Sequence, residues 1–556
     1  MNRGIPLIEV QHYLNTTDED IYPPSLIKNL TEGATLLTKH MIAEDDVVLQ
    51  IDSDCDGFTS FAVFMNYFNN ISPSWVQNHI KYMPHKNKHH GIVIEDIPEG
   101  TKLVVALDAS SNEYEVHEEL AKRGIDILII DHHQADHESE YACVLNNQLC
   151  DYPNKALSGV GMVYKFCCFF DSLLEESYAD QYLDLVALGL TGDMMDIRQF
   201  ETRRLITKGY DNIRNPFIKE MMNKNAYNLG DHLTPMGVAF YIVPYMNAIA
   251  RVGTYEECLL LAEAMLEYRS YEKIPSTKRG CAGQFETRVE QAVRTSANVR
   301  NRQNKSRDAS LEYVDIAIDT HNLLKNKILI IQVPKAEELN TNITGLIANQ
   351  VAAKYKRPVL ILNEREHEDG IWWEGSARGL SNCEIEDFRA FILSTNLAEY
   401  AEGHANAFGI GIKDSNIQQF IQTTNEKLAN VNFSSKYAVD FIYSLQDLDP
   451  EFVISIGRWE ELWGQEMSEP YVAITDVKIT PDDITIMKNS AIKIKKPNVD
   501  FIKFKASEEE IQTLQSQGCS TLTIIGRCNV NTWGGRELPQ ILIEDYEITE
   551  SIKYYY

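Results

Sequence analysis

The sequence predicts an α/β protein with a parallel β-sheet in its N-terminal part. Three apolar segments have the composition of buried strands: VVLQID from residue 47, KLVVALDAS from residue 102 and IDILIIDHH from residue 125. Amphipathic segments separate them, and this alternation is typical of parallel strands joined by helices. Residues 1 to about 45 are predicted to be mainly helical, and 556 residues suffice for about two to four domains.

Each of these three strands ends in side chains that can bind cations or move protons. Asp52 follows the first strand, Asp108 follows the second, and Asp131, His132 and His133 follow the third. The carboxyl ends of parallel strands form the ligand crevice of an open sheet. We therefore expect these groups to lie close together.

The first strand continues into Asp52, Asp54, Asp56 and Gly57, a pattern that also opens calcium-binding EF-hand loops. An EF-hand needs a preceding helix and a Glu at the twelfth loop position, where this chain has Val63. We therefore reject calcium. A solvated acidic turn is the simpler alternative, but clustered carboxylates repel one another unless cations offset them. A metal role is favoured.

A fourth element, the apolar helical stretch DLVALGLTGDMMDI, delivers Asp193 and Asp196 just after Gly192. Asp196 is better explained as a turn or capping residue. Carboxylates with one imidazole suit Mn²⁺ or Mg²⁺ better than a metal that prefers thiolates. The set has more ligands than one ion needs, so two ions about 3.5–4 Å apart are expected. The candidate ligands are Asp54, Asp56, Asp108, His132 and Asp193.

The composition of the chain bears on its affinity for nucleic acid and on its location in the cell. The net charge of −29 argues against general affinity for nucleic acid, yet basic residues concentrate between Lys273 and Arg307 and again between Lys488 and Lys505. On charge alone, a polyanion track and a solvated surface are equally good interpretations of these segments. The ten cysteines form no CxxC pair, and neither a signal peptide nor a membrane-spanning run is present. We expect a soluble, cytoplasmic protein with no membrane association.

Four ordered motifs resemble those of the DHH phosphoesterase superfamily: DSDCDG, the isolated Asp108, DHH at 131–133 and ALGLTGDMMD. Later stretches resemble the RecJ exonucleases in particular, namely SGVGMVYKF, PYMNAIARVG, EGSARGL, EGHANAFG and GRCNVNTWGGRELPQILIEDYEI. The resemblance implies four regions: a DHH phosphoesterase domain with an N-terminal helical segment over 1–235, a helical linker over 236–310, a DHH-associated α/β substrate-binding domain over 311–435, and a C-terminal β-barrel of the OB-fold type over 436–556.

The resemblance also implies roles for individual residues. Asp108 would bridge two Mn²⁺ or Mg²⁺ ions, His133 would position the scissile phosphate or assist proton transfer, and Asp131 would orient His132 or His133. Asp52 would be an outer metal ligand or a support for its loop. The implied substrate-binding residues are Asn247, Arg251, Ser376, Arg378, His404 and Trp533, with Phe501 and Phe504 as further stacking surfaces.

The implied activity is metal-dependent hydrolysis of single-stranded DNA in the 5′-to-3′ direction, releasing 5′-mononucleotides. Ions that acidify a bound water and neutralise phosphoryl charge are suited to this reaction. DNA repair, recombination or replication is the implied setting, and RNA stays open as a substrate. Single-strand-binding protein or other replication and repair proteins are the implied partners. The basic segment 273–307 would line the groove between the catalytic lobes and follow the DNA backbone.

Two departures keep alternatives open. Gln50 stands where many DHH enzymes have a metal-binding His, and Glu402 begins a motif that normally opens with two glycines. A Glu beside a phosphate path repels substrate. One alternative is therefore a catalytically weak or silent DHH scaffold of the replication machinery. The other is an oligonucleotide or cyclic-dinucleotide phosphodiesterase, which the C-terminal segment disfavours.

Overall fold

The computed structural model describes residues 3–85, 90–337, 339–380, 383–433, 436–487, 490–516, 519–533 and 536–552. The helices are α1 Val10–Leu14, α2 Leu30–Ala43, α3 Cys55–Ile71, α4 Pro73–His79, α5 Tyr114–Lys122, α6 Gly159–Leu174, α7 Leu183–Gly192, α8 Phe200–Asp211, α9 Pro216–Lys224, α10 Ala226–Leu229, α11 Pro235–Tyr241, α12 Val243–Val252, α13 Tyr255–Ala264, α14 Arg288–Thr320, α15 Thr344–Tyr355, α16 Phe388–Leu393, α17 Asp414–Lys427, α18 Pro450–Gly457 and α19 Glu508–Ser516.

The strands are β1 Val47–Ile51, β2 Ile80–Pro84, β3 Leu103–Leu107, β4 Asp126–Asp131, β5 Cys143–Asn146, β6 Lys273–Pro275, β7 Phe285–Thr287, β8 Leu329–Val333, β9 Val359–His367, β10 Gly370–Arg378, β11 Tyr400–His404, β12 Ala407–Lys413, β13 Phe441–Ser444, β14 Tyr471–Ile479, β15 Ile484–Met487, β16 Ala491–Lys495, β17 Asp500–Lys503, β18 Cys519–Trp533 and β19 Arg536–Ile552.

The N-terminal sheet has five parallel strands in the order β2-β1-β3-β4-β5. Every residue of β1 and β3 is buried, as expected for strands that are covered on both faces by helices. Because β1, β3 and β4 are neighbours, the three strand ends singled out in the sequence lie side by side. The predicted α/β class with a parallel sheet is confirmed.

A helical region leads from this sheet to a second one. Its longest helix, α14, has 33 residues and begins with a capping box between Thr287 and Glu290. The second sheet has the order β11-β12-β10-β9-β8, and only β8 and β9 pair in parallel. Helix α14 crosses residue 310, and the domain boundaries at 235, 310 and 435 stay predictions.

The C-terminal part forms a mixed seven-stranded sheet in the order β13-β14-β18-β19-β17-β16-β15. Phe501 in β17 is fully buried in its core, so the expectation that it offers a stacking surface is wrong. An alternating strand turns every second side chain inward, and Phe501 is on the inner face. Phe504 has 60% of its surface exposed.

The C-terminal sheet packs against the N-terminal domain. Arg3 donates hydrogen bonds from Nη1 and Nη2 to the two carboxylate oxygens of Asp440, each at 2.9 Å. The Ile197 amide donates to the carbonyl of Gln465 at 3.3 Å. Trp463 belongs to the hydrophobic core of the N-terminal domain. These contacts hold the two parts of the chain together.

Two further features bear on the sequence expectations. Within the described ranges, none of the helices combines the length and the apolar character that crossing a bilayer demands. All ten cysteines have free thiols.

Candidate metal centre and active site

Asp54 and Asp56 lie where β1 turns into α3. Asp54 caps the helix by accepting a hydrogen bond at Oδ1 from the Gly57 amide at 3.0 Å. Asp56 lies in the first turn and faces the N-terminus of α6. Its carboxylate accepts hydrogen bonds from the Ser158 hydroxyl at 2.8 Å and the Gly159 amide at 2.6 Å. These hydrogen bonds from the N-terminus of α6 hold the Asp56 carboxylate in place.

Asp108 follows β3 in a left-handed backbone conformation, with φ at 63°. This conformation is uncommon outside glycine, although Asp and Asn tolerate it better than other residues. Its side chain lies against Gly159, where a Cβ atom would be 2.5 Å from Asp108 Oδ1. Gly159 therefore leaves the space that the Asp108 carboxylate occupies.

His132 joins these carboxylates at one point. Its Nε2 lies 3.2 Å from Asp108 Oδ1, 3.3 Å from Asp193 Oδ2 and 4.0 Å from Asp56 Oδ2. Asp193 arrives from the C-terminus of α7, directly after Gly192, whose missing side chain leaves room for Cys55. The structure thus brings together residues from four separate segments of the sequence.

The donor set fits divalent cations. Asp108 Oδ1, His132 Nε2 and Asp193 Oδ2 are buried and have no hydrogen-bond partner among the described residues. Buried polar atoms without partners are costly, and a bound ion would satisfy them. Three sets of ligand atoms lie within 4.8 Å of one another: Asp108 with His132 and His133, Asp56 with His132 and Asp193, and Asp52 with Asp54 and Asp108. Carboxylates and imidazole are ligands of Mn²⁺ and Mg²⁺.

The electrostatics of the cluster agree with this. Burial, together with repulsion from Asp56 and Asp54, raises the pKa of Asp193 to about 8. Burial and repulsion from Asp52 and Asp56 raise the pKa of Asp54 to about 6. The pKa of Asp108 is raised well above its usual value for the same reasons. The folded protein therefore concentrates negative charge that a cation would neutralise.

Asp131 and His133 form a pair at the edge of this cluster. The buried Asp131 accepts a hydrogen bond at Oδ1 from His133 Nδ1 at 2.8 Å, and another at Oδ2 from the Ser111 amide at 3.1 Å. The hydrogen bond to Asp131 raises the pKa of His133 to about 9, although burial opposes the shift. The His133 side chain is 53% exposed, so its other ring face is open to a substrate.

Sequence reasoning missed two histidines that contact Asp52. Asp52 Oδ1 lies 3.3 Å from His85 Nδ1, and Asp52 Oδ2 lies 2.9 Å from His90 Nδ1. The hydrophilic stretch before Gly91 carried no periodic signal that would have marked them. Gln50, the position of the missing family His, hydrogen bonds to both backbone groups of Val93 at 2.8 and 2.9 Å. Gln50 therefore secures the backbone at Val93.

Arginines from two domains meet near the acidic cluster. Arg251 on α12 lies within electrostatic range of Asp54, and burial lowers its pKa. Burial and repulsion from Arg251 likewise lower the pKa of Arg378 on β10. Two desolvated guanidinium groups that repel each other are a candidate site for an anion. Asn247, one helical turn before Arg251, has a buried Oδ1 without a hydrogen-bond partner among the described residues.

Thr344 and Gly345 lie beside Ser376 and Arg378, and sequence reasoning did not single them out. The Thr344 and Ser376 hydroxyls lie 2.9 Å apart at the start of α15. A Cβ at Gly345 would be 2.3 Å from Arg378 Nη2, so only glycine lets the guanidinium lie against the helix N-terminus. Their signal in the sequence was the small-residue pair TG before an amphipathic helix.

Two further residues, His404 and Trp533, were predicted to bind substrate. His404 is exposed at the end of β11, and its side chain makes no hydrogen bond or ion pair with any described residue. Glu402 is also exposed on β11. Trp533 ends β18, and its side chain lies outside the described part of the structure.

The basic segment 273–307 differs from the expectation of a free cationic track. Arg294 donates to Glu286 at 2.6 Å, and Arg302 donates to Glu257 at 2.7 Å. Arg288 is buried between Glu263 and Glu272. Carboxylates from within the segment and from the residues before it lie beside these arginines, and they neutralise much of the segment's charge.

Comparisons with known proteins define the class first. The DHH family N-terminal domain matches residues 46–190, and the RecJ OB domain matches residues 439–545. The first range contains every acidic strand end described above, and the second covers most of the C-terminal sheet. The chain is thus of the DHH class with a RecJ-type OB domain.

The relatives give the particular family. A Bacillus subtilis (strain 168) protein named putative SPbeta prophage-derived single-strand DNA-specific exonuclease YorK is 35% identical over 560 residues, covering 99% of this chain and 95% of that protein. Bacillus subtilis single-stranded-DNA-specific exonuclease RecJ is 23% identical, covering 99% of this chain and 67% of that protein. The chain belongs to the RecJ family of single-strand-DNA-specific exonucleases.

A solved structure shares the fold. The crystal structure of RecJ in complex with Mn²⁺ from Thermus thermophilus superposes with a TM-score of 0.71 at 17% sequence identity, covering 98% of this chain and 76% of that chain.

Proposed function

We propose that the protein is a metal-dependent exonuclease that degrades single-stranded DNA from the 5′ end to 5′-mononucleotides. The observation that carries the proposal is the convergence of Asp108, Asp193 and His132 on one point, beside the paired guanidinium groups of Arg251 and Arg378. Cations would bind at the first group, and a phosphate would bind at the second. A phosphodiester held between them is positioned for hydrolysis.

The proposed ligands of two Mn²⁺ or Mg²⁺ ions are Asp54, Asp56, Asp108, His132 and Asp193. Bound divalent cations acidify water and neutralise phosphoryl charge. The same ions are bound by the Thermus thermophilus RecJ structures. Asp52 contacts His85 and His90, so its proposed role is to support the loop and lie outside the inner ligand set.

The remaining residues position the substrate. Arg251 and Arg378 bind phosphate oxygens, with Asn247 and Ser376 as neutral partners. His133, oriented by Asp131, donates a hydrogen bond to the scissile phosphate through its open ring nitrogen. In the reaction, the oxygen of a water bonds to phosphorus, the bond from phosphorus to the 3′-oxygen breaks, and the 3′-oxygen takes up a proton. His404 and Trp533 are proposed to contact the strand further along.

The cellular process and the partner of the protein are part of the same proposal. A nuclease of this type acts in cytoplasmic DNA repair, recombination or replication, where single-strand-binding protein is the fitting partner. Single-stranded RNA is a second substrate to be tested, because no described feature reads a 2′-hydroxyl.

The test uses single-stranded DNA labelled at the 5′ or the 3′ end and incubated with Mn²⁺. The expected result is early release of 5′-labelled mononucleotide, with the 3′ label retained in long products. Asp108→Ala protein is the control and should release nothing. DNA that is bound but stays intact with the native protein would contradict the proposal and favour a silent scaffold.

A further inference from the structure

A cavity lies between the N-terminal domain and the C-terminal sheet, and Thr191 and Met194, on either side of Asp193 in the chain, line it. Its volume is about 300 Å³, at the lower end of the range for small-molecule sites, which is roughly 300–1,000 Å³. Met194, Met195 and Phe240 line it from the N-terminal domain, and Tyr471, Glu469 and Arg527 line it from the C-terminal sheet. The cavity is thus built by both parts of the molecule.

The turn after α7 connects the cavity to the cluster of candidate metal ligands along the chain. Met194 directly follows Asp193, whose carboxylate lies 3.3 Å from His132. Met194 is itself in the left-handed region, with φ at 57°, and 62% of its surface is exposed. A methionine in the left-handed region is strained, and such strain persists where the surrounding structure imposes it. The turn therefore directs Asp193 to the metal cluster while Met194 lines the neighbouring cavity.

The chemistry of the lining fits a flat, partly polar ligand. Phe240 is 58% exposed although it is a large apolar residue, and the methionines offer adaptable apolar contacts. On the opposite side, Arg527 is held by Glu469 at 2.8 Å and Glu544 at 2.7 Å, so fixed polar groups face the apolar ones. Apolar faces with polar groups at one edge match an unpaired nucleobase.

We propose that this cavity receives one nucleobase of the substrate strand, stacked on Phe240, while the adjoining phosphate lies at the metal cluster. This inference rests on the proposed function. A base is joined through one sugar to its phosphate, so a phosphate beside Asp193 brings a base within reach of the cavity. A paired base cannot enter without leaving its stack and its partner. The cavity would therefore select single strands at the point of hydrolysis.

The experiment uses short single strands that carry 2-aminopurine at successive positions and hydrolysis-resistant phosphorothioate linkages, bound to the full-length protein with Mn²⁺. Stacking quenches 2-aminopurine fluorescence, so one position should be quenched in the native complex. Phe240→Ala should restore fluorescence at that position and raise the dissociation constant by about 5-fold to about 150-fold, the worth of one stacked base. Phe240→Trp should keep the quenching, because it preserves a stacking surface.

Tyr227→Ala is the matched control, since Tyr227 is 99% exposed on α10 and does not line the cavity. It should leave both readouts unchanged. The inference would be overturned if 2-aminopurine were quenched equally in complexes with native and with Phe240→Ala protein. Nucleotide release from ordinary phosphodiester strands is measured on the same proteins. Quenching that depends on Phe240 without any release would overturn the proposed function alone.

Discussion

At the scale of single residues, the backbone at the end of β3 combines two uncommon conformations. Asp108 and Ser110 have φ values of 63° and 82°. Neither residue is a glycine, the residue that adopts positive φ without a steric cost. A non-glycine residue in this region costs about 1–2 kcal/mol. The turn therefore directs Asp108 toward His132 at a cost in stability.

Replacing Asp131 with Asn should lower nuclease activity by about 10-fold to about 100-fold, the usual effect of removing a partner that orients a site residue. The amide would no longer stabilise a charged His133 imidazole. Steady-state rates with a titration of Mn²⁺ would measure the effect. Asp196→Asn is the control, because Asp196 contacts Arg198 and should leave the rate unchanged. Equal rates for native and Asp131→Asn protein would contradict the assigned orientation.

Mn²⁺ should stabilise the protein more at pH 8 than at pH 6. The pKa of Asp193 is raised to about 8, so its protonated form favours folding at low pH, and that stability is lost as pH rises toward 8. At 100 times its dissociation constant, one ion adds about 2.7 kcal/mol, and affinity rises with pH because ligands must be deprotonated.

Thermal unfolding with and without Mn²⁺ at both pH values would measure this. In Asp193→Asn protein the difference between the two pH values should shrink. An Mn²⁺ effect that is larger at pH 6 would contradict the electrostatic account.

At the scale of elements, the sequence predicted the strands, which show as local patterns of apolar residues. It did not predict contacts between residues that are far apart in the sequence. The strands β1, β3 and β4 were recognisable because buried strands are continuous apolar runs. His85 and His90 were not, since only the pairing of β2 with β1 brings them to Asp52. Part of the ion pairing of the basic segment was missed for the same reason, because Glu257 and Glu263 precede the segment in the sequence and contact it only in the fold.

The β6–β7 hairpin should lose protection in Glu286→Gln protein. Glu286 is buried and accepts hydrogen bonds from Arg294 and Ser276, and although burial opposes the shift, these partners lower its pKa to about 2. A lowered pKa gives stability that is present above the usual value of 4.5 and lost as pH falls toward 2. Hydrogen exchange of the hairpin amides should show a loss of about 1–3 kcal/mol at pH 7, shrinking as pH falls to about 3.

Glu312→Gln, a change at an exposed position on α14, is the matched control for this measurement and should leave the hairpin amides unchanged. A constant difference between native and Glu286→Gln protein across the pH range would show that charge is not the cause.

At the scale of the whole molecule, a net charge of −29 coexists with a local anion site. Many cations of the basic segment are paired with carboxylates, so few remain to attract a polyanion over long distances. In the proposed function, a small number of desolvated contacts carries the affinity for DNA, above all those of Arg251 and Arg378. Each cation that neutralises a phosphate of a single strand releases counterions, so a few such contacts set the salt dependence of binding.

Each of Arg251→Ala and Arg378→Ala should therefore reduce the steepness of salt dependence for single-strand binding by about 0.7 in the slope of log affinity against log salt. Fluorescence anisotropy at several salt concentrations would measure the slopes. Arg307→Ala is the control, since Arg307 is paired with Asp308 at 2.7 Å. Slopes that fall equally in all three variants would contradict the assignment of the anion site.

The contact between Arg3 and Asp440 has a consequence for the order in which the protein matures. The two residues are 437 positions apart, so the ribosome makes one long before the other. At about 5–20 residues per second, that interval is on the order of 20–90 seconds, and N-terminal domains fold first. The catalytic domain is therefore complete in the nascent chain before the C-terminal sheet exists. The wall of the cavity that runs from Gly464 to Arg527 is made after the wall from the N-terminal domain, so the cavity forms only once the C-terminal sheet has been translated.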